Sequence, residues 1–225
     1  MKKLLPLLWL TLATTVVGES VNVTFTSVSC GDPVQGVFYV SGGHDEPLIA
    51  PAFARSPKQV YRGERRWVFF RLEKFPGEPV SRRVEVATVI VPDEAGRFLL
   101  LWSPAATGKY HVVALSEEEE VFPLGQARIY NATPYRVAVK GPSAVLELAP
   151  GETRLMGGDG RRLPMQVAYA QAGAWKLAGN NVFALNAHTR RTVLIAGGGN
   201  QSFRWTFDGG GADAADVMRI LSVDD

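Results

Sequence analysis

The sequence is poor in the residues that build metal centres and covalent cross-links, with one cysteine and three histidines among 225 residues. A single cysteine excludes a disulfide within the chain, so the folded protein must rest on its hydrophobic core. Cys30 is expected to be a small buried residue rather than a reactive thiol. His44, His111 and His188 have no second histidine or cysteine at metal-ligand spacing, so we predict neither a metal site nor a cofactor.

Long apolar stretches are also missing, except at the N-terminus. Residues 4–17 carry no charge, follow Lys2 and Lys3, and end in small residues up to Gly18. This pattern predicts a signal peptide over residues 1–18 and an exported mature chain. The alternative is a retained membrane anchor, which needs roughly 20 apolar residues. The stretch is shorter than that and contains a proline.

The chain has no marked excess of one charge sign. It has 24 basic and 22 acidic residues, and cleavage after Gly18 removes Lys2 and Lys3 to leave 22 of each. A neutral protein has no overall field that favours nucleic acid or an anionic membrane. Arginine outnumbers lysine by 17 to 7, which suits planar pairing with carboxylates across strands.

Helical periodicity is scarce, and the sequence instead contains short alternating or apolar runs about ten residues apart, separated by Gly, Pro, Asn and Asp. Such spacing is typical of an all-β sandwich or barrel. The strands predicted in the first half are 21–25, 37–40, 59–62, 67–72, 84–91, 98–102 and 110–115. The run 67–72 is apolar on both faces and is expected in the middle of the packing. This strand count over roughly a hundred residues matches an immunoglobulin-like sandwich.

The second half continues the pattern, with strands predicted at 127–130, 135–140, 144–148, 165–169, 175–177, 182–185, 192–196 and 203–207. Four consecutive glutamates at 117–120, followed by Pro123 and Gly125, are typical of a connector. We therefore predict two consecutive Ig-like β-sandwich modules with no sequence repeat between them. The predicted boundaries are a signal peptide at 1–18, module 1 at 19–116, a connector at 117–125, module 2 at 126–208, and a Gly-rich linker with a short helix or loose tail at 209–225.

One stretch of the second half carries a resemblance to known proteins. From Phe122 the sequence reads FPLGQARIYNATPY, and it continues through Arg136-Val-Ala-Val to Leu148-Ala-Pro-Gly-Glu152. Over about residues 122–152 it resembles secreted bacterial β-sandwich (Ig-like) proteins of unknown function. In these, a strand ending in Asn-x-Thr/Ser-Pro is followed by a strand, a hairpin and a Pro-Gly turn. The resemblance implies a fold and an envelope setting, and it brings no catalytic residue.

Several motifs have both a chemical and a structural interpretation. His44 with its two acidic neighbours suits a cation site, but a solvated turn before Pro47 is the simpler interpretation. The glutamates at 117–120 lack the glycine-permitted turns of a calcium loop, so a solvated linker is expected there. Residues 157–160 lack the Lys-Ser pair of a phosphate loop, and a tight turn is expected. No G-x-S-x-G motif occurs, and we predict no catalytic residue.

Tryptophan supplies the one binding candidate. Trp9 lies in the predicted signal peptide, while Trp67, Trp102 and Trp205 lie in predicted strands, where burial in the core is expected. Trp175 lies near a turn. It is the candidate ligand-binding residue, because an exposed aromatic ring can stack on a sugar.

Together these patterns predict an exported, non-catalytic envelope or extracellular protein with a binding or structural spacer role. It would reside in the periplasm, on the cell surface or in the medium. Its partner would be an unknown envelope protein or a polysaccharide, with neither nucleic acid nor a membrane anchor after cleavage. The alternative is a carbohydrate-binding β-sandwich that uses exposed aromatic residues such as Trp175. A third hypothesis is a hydrolase whose site is assembled in space, because the members of a triad need not be adjacent in sequence.

Overall fold

A computed structural model describes residues 20–92, 95–105, 108–198, 201–210 and 221–223, and from residue 197 onward it describes the backbone alone. The described chain is all β, which confirms the predicted fold class, and no α-helix lies within these ranges. The strands of the N-terminal half are β1 (Ser20–Ser29), β2 (Phe38–Ser41), β3 (His44–Pro47), β4 (Gln59–Glu64), β5 (Arg66–Glu73), β6 (Arg82–Ile90), β7 (Ala95–Pro104) and β8 (Tyr110–Ser116).

The strands of the C-terminal half follow the connector at 117–125. They are β9 (Gln126–Asn131), β10 (Val137–Lys140), β11 (Val145–Leu148), β12 (Thr153–Gly157), β13 (Arg162–Gln171), β14 (Ala174–Ala184), β15 (Arg190–Gly198), β16 (Gln201–Gly210) and β17 (Leu221–Val223). Gly209 and Gly210 belong to β16 rather than to a linker. The helix or tail expected beyond them lies outside the described residues, apart from β17.

Three segments differ from the strand prediction. Strand β12 was not predicted, and it pairs antiparallel with β9. The segment from His44, expected to be a solvated turn, is strand β3, which pairs with β2 across a turn at Gly42 and Gly43. Both glycines have positive φ, 57° and 86°, so a two-residue hairpin turn is accessible to them. The runs 175–177 and 182–185 are not separate strands. Both belong to the single strand β14, in which a bulge at Ala178 shifts the pairing with β13 by one residue.

The strands form four sheets, and each sheet takes its strands from one side of the connector. Sheet I has the order β3-β2-β5-β6, sheet II β4-β1-β7-β8, sheet III β12-β9-β15-β16-β17, and sheet IV β11-β10-β13-β14. When eight is added to each strand number of sheet I, the result is the strand order of sheet IV. The same addition converts sheet II into the first four strands of sheet III. The strand directions repeat as well, since β1 runs parallel to β7 and β9 runs parallel to β15. One strand topology therefore occurs twice in a chain whose sequence shows no repeat.

Each half encloses its own hydrophobic core. Sheets I and II enclose an aromatic core that contains Phe25, Trp67, Phe69 and Trp102. The ring of Trp67 stacks on Tyr61 with centroids 4.0 Å apart and meets Phe25 edge-on at 4.6 Å. Sheets III and IV enclose a mostly aliphatic core whose fully buried members include Ile129, Val137, Val139, Leu148, Leu163, Val167 and Val193.

A third apolar cluster, here called the junction cluster, joins the two halves. From sheet II it contains Val28, Cys30, Leu99 and Leu101, and from sheet III it contains Tyr130 and Leu194. The four sheets therefore stack in the order I, II, III, IV. The two halves thus share an apolar interface, and their independence as modules stays a prediction.

Strand β7 occupies the middle of the stack. Phe98, Leu100 and Trp102 point into the N-terminal core, and Leu99 and Leu101 point into the junction cluster. All five are at most 2 % exposed. The expectation that residues 67–72 lie in the middle of the packing holds for Trp67, Phe69 and Phe70, which are buried, and fails at Leu72, which is 46 % exposed at the end of β5. The sheet that contains β5 lies on the outside of the stack, so the outer face of β5 meets solvent rather than another layer.

The motif that carries the sequence resemblance forms the corner between β9 and β10. Asn131 is fully buried. Its amide nitrogen donates to the carbonyl oxygens of Tyr135, at 2.7 Å, and Leu148, at 3.2 Å. Its side-chain oxygen accepts from the backbone N–H and the hydroxyl of Thr133, at 3.0 and 2.8 Å. The asparagine therefore ties the corner to the end of β11.

Candidate functional site

Trp175 is the first bulky residue of β14, directly after a tight turn. The turn residues Ala172 and Gly173 have φ values of 51° and 80°, so both adopt the left-handed conformation that a two-residue hairpin needs. This turn sets Ala170 of β13 opposite Trp175. The Trp175 side chain is 47 % exposed, whereas Trp67 and Trp102 are buried. The expected burial of Trp67 and Trp102 and exposure of Trp175 are confirmed, whereas the side chain of Trp205 lies outside the described residues.

Trp175 shares its strand and its face with two other exposed apolar side chains. Leu177 is 59 % and Val182 is 58 % exposed. We call Trp175, Leu177 and Val182 the β14 ladder. All three point to the outer face of sheet IV, opposite Ala170, Ala168 and Pro164 of β13. The alanines are too small to cover the neighbouring side chains, so the ladder presents its apolar atoms to solvent.

The far end of this face has more polar character. A shallow groove of about 460 Å³ lies beside Val182, lined by Lys140, Gln166, Asn180 and Asn181 among others. Because of the bulge at Ala178, Asn180 lies four ladder positions from Trp175, about 13 Å along the strand. Its amide and the indole ring are thus too far apart to contact one sugar unit together.

The other sequence candidates are dispersed over the fold. His44 is exposed in β3, His111 is exposed in β8, and His188 is exposed in the turn before β15. Within the described residues, no group of three His, Cys, Asp or Glu side chains is arranged to hold a metal ion. The turn expected at 157–160 lies at 158–161, because Gly157 is the last residue of β12. In it, Asp159 accepts hydrogen bonds from the backbone N–H groups of Arg161 and Arg162.

The glutamates at 117–120 are not a uniformly solvated run, which corrects the expectation from sequence. Glu117 forms two hydrogen bonds of 2.7 Å to the guanidinium group of Arg55. Glu118 accepts from the backbone N–H of Arg97 at 2.8 Å and pairs with its side chain. The Arg97 hydrogen bonds hold the pKa of Glu118 below its ordinary value. Only Glu119 and Glu120 are exposed to solvent.

Two arginines of the C-terminal half hold the connector from the other side. Arg190 donates from one amino group to the carbonyl oxygens of Glu117 and Phe122, at 2.8 and 3.0 Å. Arg128 donates to the carbonyl oxygen of Ser116, and its guanidinium carbon lies 4.0 Å from the centre of the Phe122 ring. The connector is therefore bound by side chains from both halves.

The charged side chains that hold the connector, here called the connector cluster, are Arg55, Arg97, Glu117, Glu118, Arg128 and Arg190. Arg128 is the most buried of them, with 4 % exposure. Burial lowers the pKa of its guanidinium group to about 10; Glu117 opposes this shift, whereas Arg55 and Arg190 add to it. Contact of a guanidinium with an aromatic face offsets part of the cost of burial. The cluster performs a structural task, and sequence reasoning missed it because its members come from four distant segments. The excess of arginine over lysine was the one available signal.

Cys30 is buried and has no disulfide partner among the described residues. Burial raises the pKa of its thiol to about 11, although a hydrogen bond with Ser103 acts in the opposite direction. At neutral pH the thiol is protonated, and a protonated thiol is a poor nucleophile. The structure therefore gives Cys30 a packing role in the junction cluster.

Taken together, the fold is an all-β stack of four sheets that exposes the β14 ladder on the outer face of sheet IV. No protein-family model matches the chain, and no curated protein matches it. Within the described residues, no helix is long and apolar enough to span a membrane.

Proposed function

We propose that this chain is an exported, non-catalytic protein of the cell envelope or extracellular space that binds a partner through the outer face of sheet IV. Export follows from the signal-peptide pattern at residues 1–18. The binding role follows from the β14 ladder. The resemblance over residues 122–152 to secreted bacterial β-sandwich proteins agrees with this setting.

The observation that supports the proposal is the exposure of three large apolar side chains on one strand face, each near half exposed or more. Single exposed apolar residues are ordinary, whereas several on one strand face are typical of an interaction surface. On this face Asn180, opposite Gln166, lies between Leu177 and Val182. The ladder combines one aromatic side chain, Trp175, with two aliphatic ones, Leu177 and Val182. Such a mixed apolar surface suits the apolar side chains of a protein partner better than the hydroxyl-rich surface of a polysaccharide.

The proposal can be tested by cross-linking from this face. Leu177→Cys in purified protein is labelled with a thiol-directed photoactivatable cross-linker and irradiated with an envelope fraction of the native host. Cys30 competes poorly because it is buried with a raised thiol pKa. The matched control is Val80→Cys, since Val80 is 71 % exposed in the N-terminal half.

A discrete adduct with another molecule from position 177, absent from position 80, supports the proposal. The same adducts from both positions, or none from either, contradict it. An adduct that contains only a second copy of this chain also contradicts a partner-binding role.

Carbohydrate binding is the second candidate, and the exposed ring of Trp175 favours it. Stacking on a sugar needs the ring but does not need Leu177. Electrophoresis through gels that contain the host's envelope polysaccharide separates the two candidates. Retardation that Trp175→Ala abolishes and Leu177→Ser preserves identifies a sugar-binding protein. A protein that migrates alike with and without polysaccharide is not one.

A further inference from the structure

Strand β14 is the last strand of sheet IV. In β13, the N–H of Ala170 donates to Arg136, on the side away from β14, and Pro164 has no N–H. The β13 residues opposite the β14 ladder thus turn their backbone groups away from β14. In an antiparallel pair, the backbone groups of two directly opposite residues either both point toward the partner strand or both point away from it. The backbone N–H and C=O groups of Trp175, Leu177 and Val182 therefore point toward the open edge.

The hydrogen bond of Val182 agrees with this orientation. Its backbone N–H donates to the side chain of its neighbour Asn181 at 2.8 Å rather than to β13. A side chain that caps an edge N–H in this way is readily replaced by the carbonyl group of an added strand.

The equivalent edge in the N-terminal half is covered. Strand β6 occupies the position in sheet I that β14 occupies in sheet IV, and β6 packs alongside β8. Among the described residues, β14 packs closely against β13 alone and makes no comparable contact with β16. Within the part of the chain that the structure describes, the repeated topology therefore leaves open in one half an edge that it closes in the other. An open, apolar edge strand is a template for strand pairing.

The sequence of β14 is suited to pairing with its own copy. The strand carries one charge, Lys176. In an antiparallel arrangement with Leu177 of one copy opposite Val182 of the other, Trp175 lies opposite Ala184, and Lys176 lies opposite Phe183 rather than opposite a second lysine. The bulge at Ala178 shifts the side-chain alternation by one residue. Because of this shift, Leu177 and Val182 point to the same face although one has an odd and the other an even number.

We propose that two copies of this chain pair antiparallel through β14 in this register, joining their two copies of sheet IV into one continuous eight-stranded sheet. A two-fold axis perpendicular to the sheet relates the copies, so the interface is closed and does not extend into a fibre. Cross-strand apolar pairs and new backbone hydrogen bonds stabilise it. The pairing deepens the proposed function, because it places two β14 ladders side by side on a single binding face.

Sedimentation equilibrium on the purified chain alone tests the pairing without any partner. We expect a concentration-dependent species of twice the monomer mass. Leu177→Lys should raise its dissociation constant at least tenfold, because it places two charges in the interface, whereas Val80→Lys should leave it unchanged. Asn181→Ala should lower it severalfold, because it frees the N–H of Val182. A chain that is monomeric at all concentrations, or a dimer that Leu177→Lys leaves intact, overturns the proposal.

Disulfide trapping tests the register. In a Cys30→Ala background, Leu177→Cys combined with Val182→Cys should oxidise to a covalent dimer, while each single variant should cross-link far less. Equal cross-linking of the single variants contradicts this register. The outcome is independent of the proposed function. A dimer without any envelope adduct would support the β14 pairing and contradict the proposed binding of an envelope partner.

Discussion

Arg55 and Glu117 are 62 residues apart in the chain, and their side chains meet through two parallel hydrogen bonds of 2.7 Å. Arg55 also donates to the hydroxyl of Thr26 in β1 at 3.0 Å. The pair is mostly buried, with side-chain exposures of 20 % and 18 %. A bidentate pair shielded from solvent is stronger than a surface ion pair. It holds the start of the connector against the N-terminal half.

Glu117→Gln should therefore destabilise the protein. The amide keeps the size of the carboxylate but removes the charge that the guanidinium group of Arg55 requires. We expect a loss of about 2 kcal/mol in the free energy of unfolding, measured by urea denaturation. Glu119→Gln is the matched control, since Glu119 is exposed, and it should change stability by less than about 0.5 kcal/mol. Equal effects of the two substitutions would show that the Arg55 pair contributes nothing.

Leu194→Ala should weaken the N-terminal half although Leu194 lies in β15. Its side chain packs in the junction cluster against Leu99 and Leu101 of β7, and truncation of a buried leucine costs about 2–5 kcal/mol. Hydrogen exchange followed by mass spectrometry should show reduced protection in peptides that cover β7.

Val193→Ala is the control for this prediction. Val193 is the preceding residue, but its side chain points into the C-terminal core. If both substitutions leave β7 fully protected, the halves are energetically separate and the junction cluster does not couple them. If both reduce its protection equally, the whole chain unfolds as one cooperative unit.

Asn131→Ala should cost about 2–4 kcal/mol, because it leaves the carbonyl groups of Tyr135 and Leu148 and the N–H of Thr133 without their partner in a buried corner. Asn22→Ala is the comparison. Asn22 begins the same Asn-x-Thr pattern but is exposed in β1, so its substitution should be nearly neutral. The measurement is the urea midpoint of each variant. A neutral Asn131→Ala would mean that water replaces the amide in the corner.

Stability should fall in alkaline solution. Burial raises the pKa of the Cys30 thiol to about 11 and the pKa of the Tyr39 and Tyr61 hydroxyls to about 12. Each group binds its proton more tightly in the folded state than in the unfolded state. The contribution of these groups is complete below about pH 9 and is lost as the pH rises toward 12, by up to about 1.4 kcal/mol per pH unit for each group.

The check is the urea midpoint between pH 8 and pH 11 for the parent chain and for Cys30→Ala. Removing the thiol should flatten the pH dependence between pH 9 and pH 11. An unchanged slope in Cys30→Ala would contradict the assignment of this part of the pH dependence to Cys30.

The strands and turns were largely predictable from the sequence, because both depend on neighbouring residues. Alternation of apolar and polar side chains identifies a half-buried strand wherever it occurs, as in β1 and β13, and glycine marks turns where φ must be positive. Strand β3 was missed for the same reason. Its polar segment His44–Pro47 has no alternation, and it becomes a strand only because it pairs with β2.

The exposure of Trp175 was also predictable, because the turn beside it limits how far neighbouring strands can cover it. The tertiary structure alone decided the rest of the site. Leu177 and Val182 face the same side only because of the bulge at Ala178, and a bulge depends on the partner strand. The order of the sheets, the central position of β7 and the pairing of Glu117 with Arg55 depend on contacts between distant segments, which no local pattern encodes. Local periodicity therefore determined which segments are strands, and packing between sheets decided which strand faces meet each other and which face remains open to a partner.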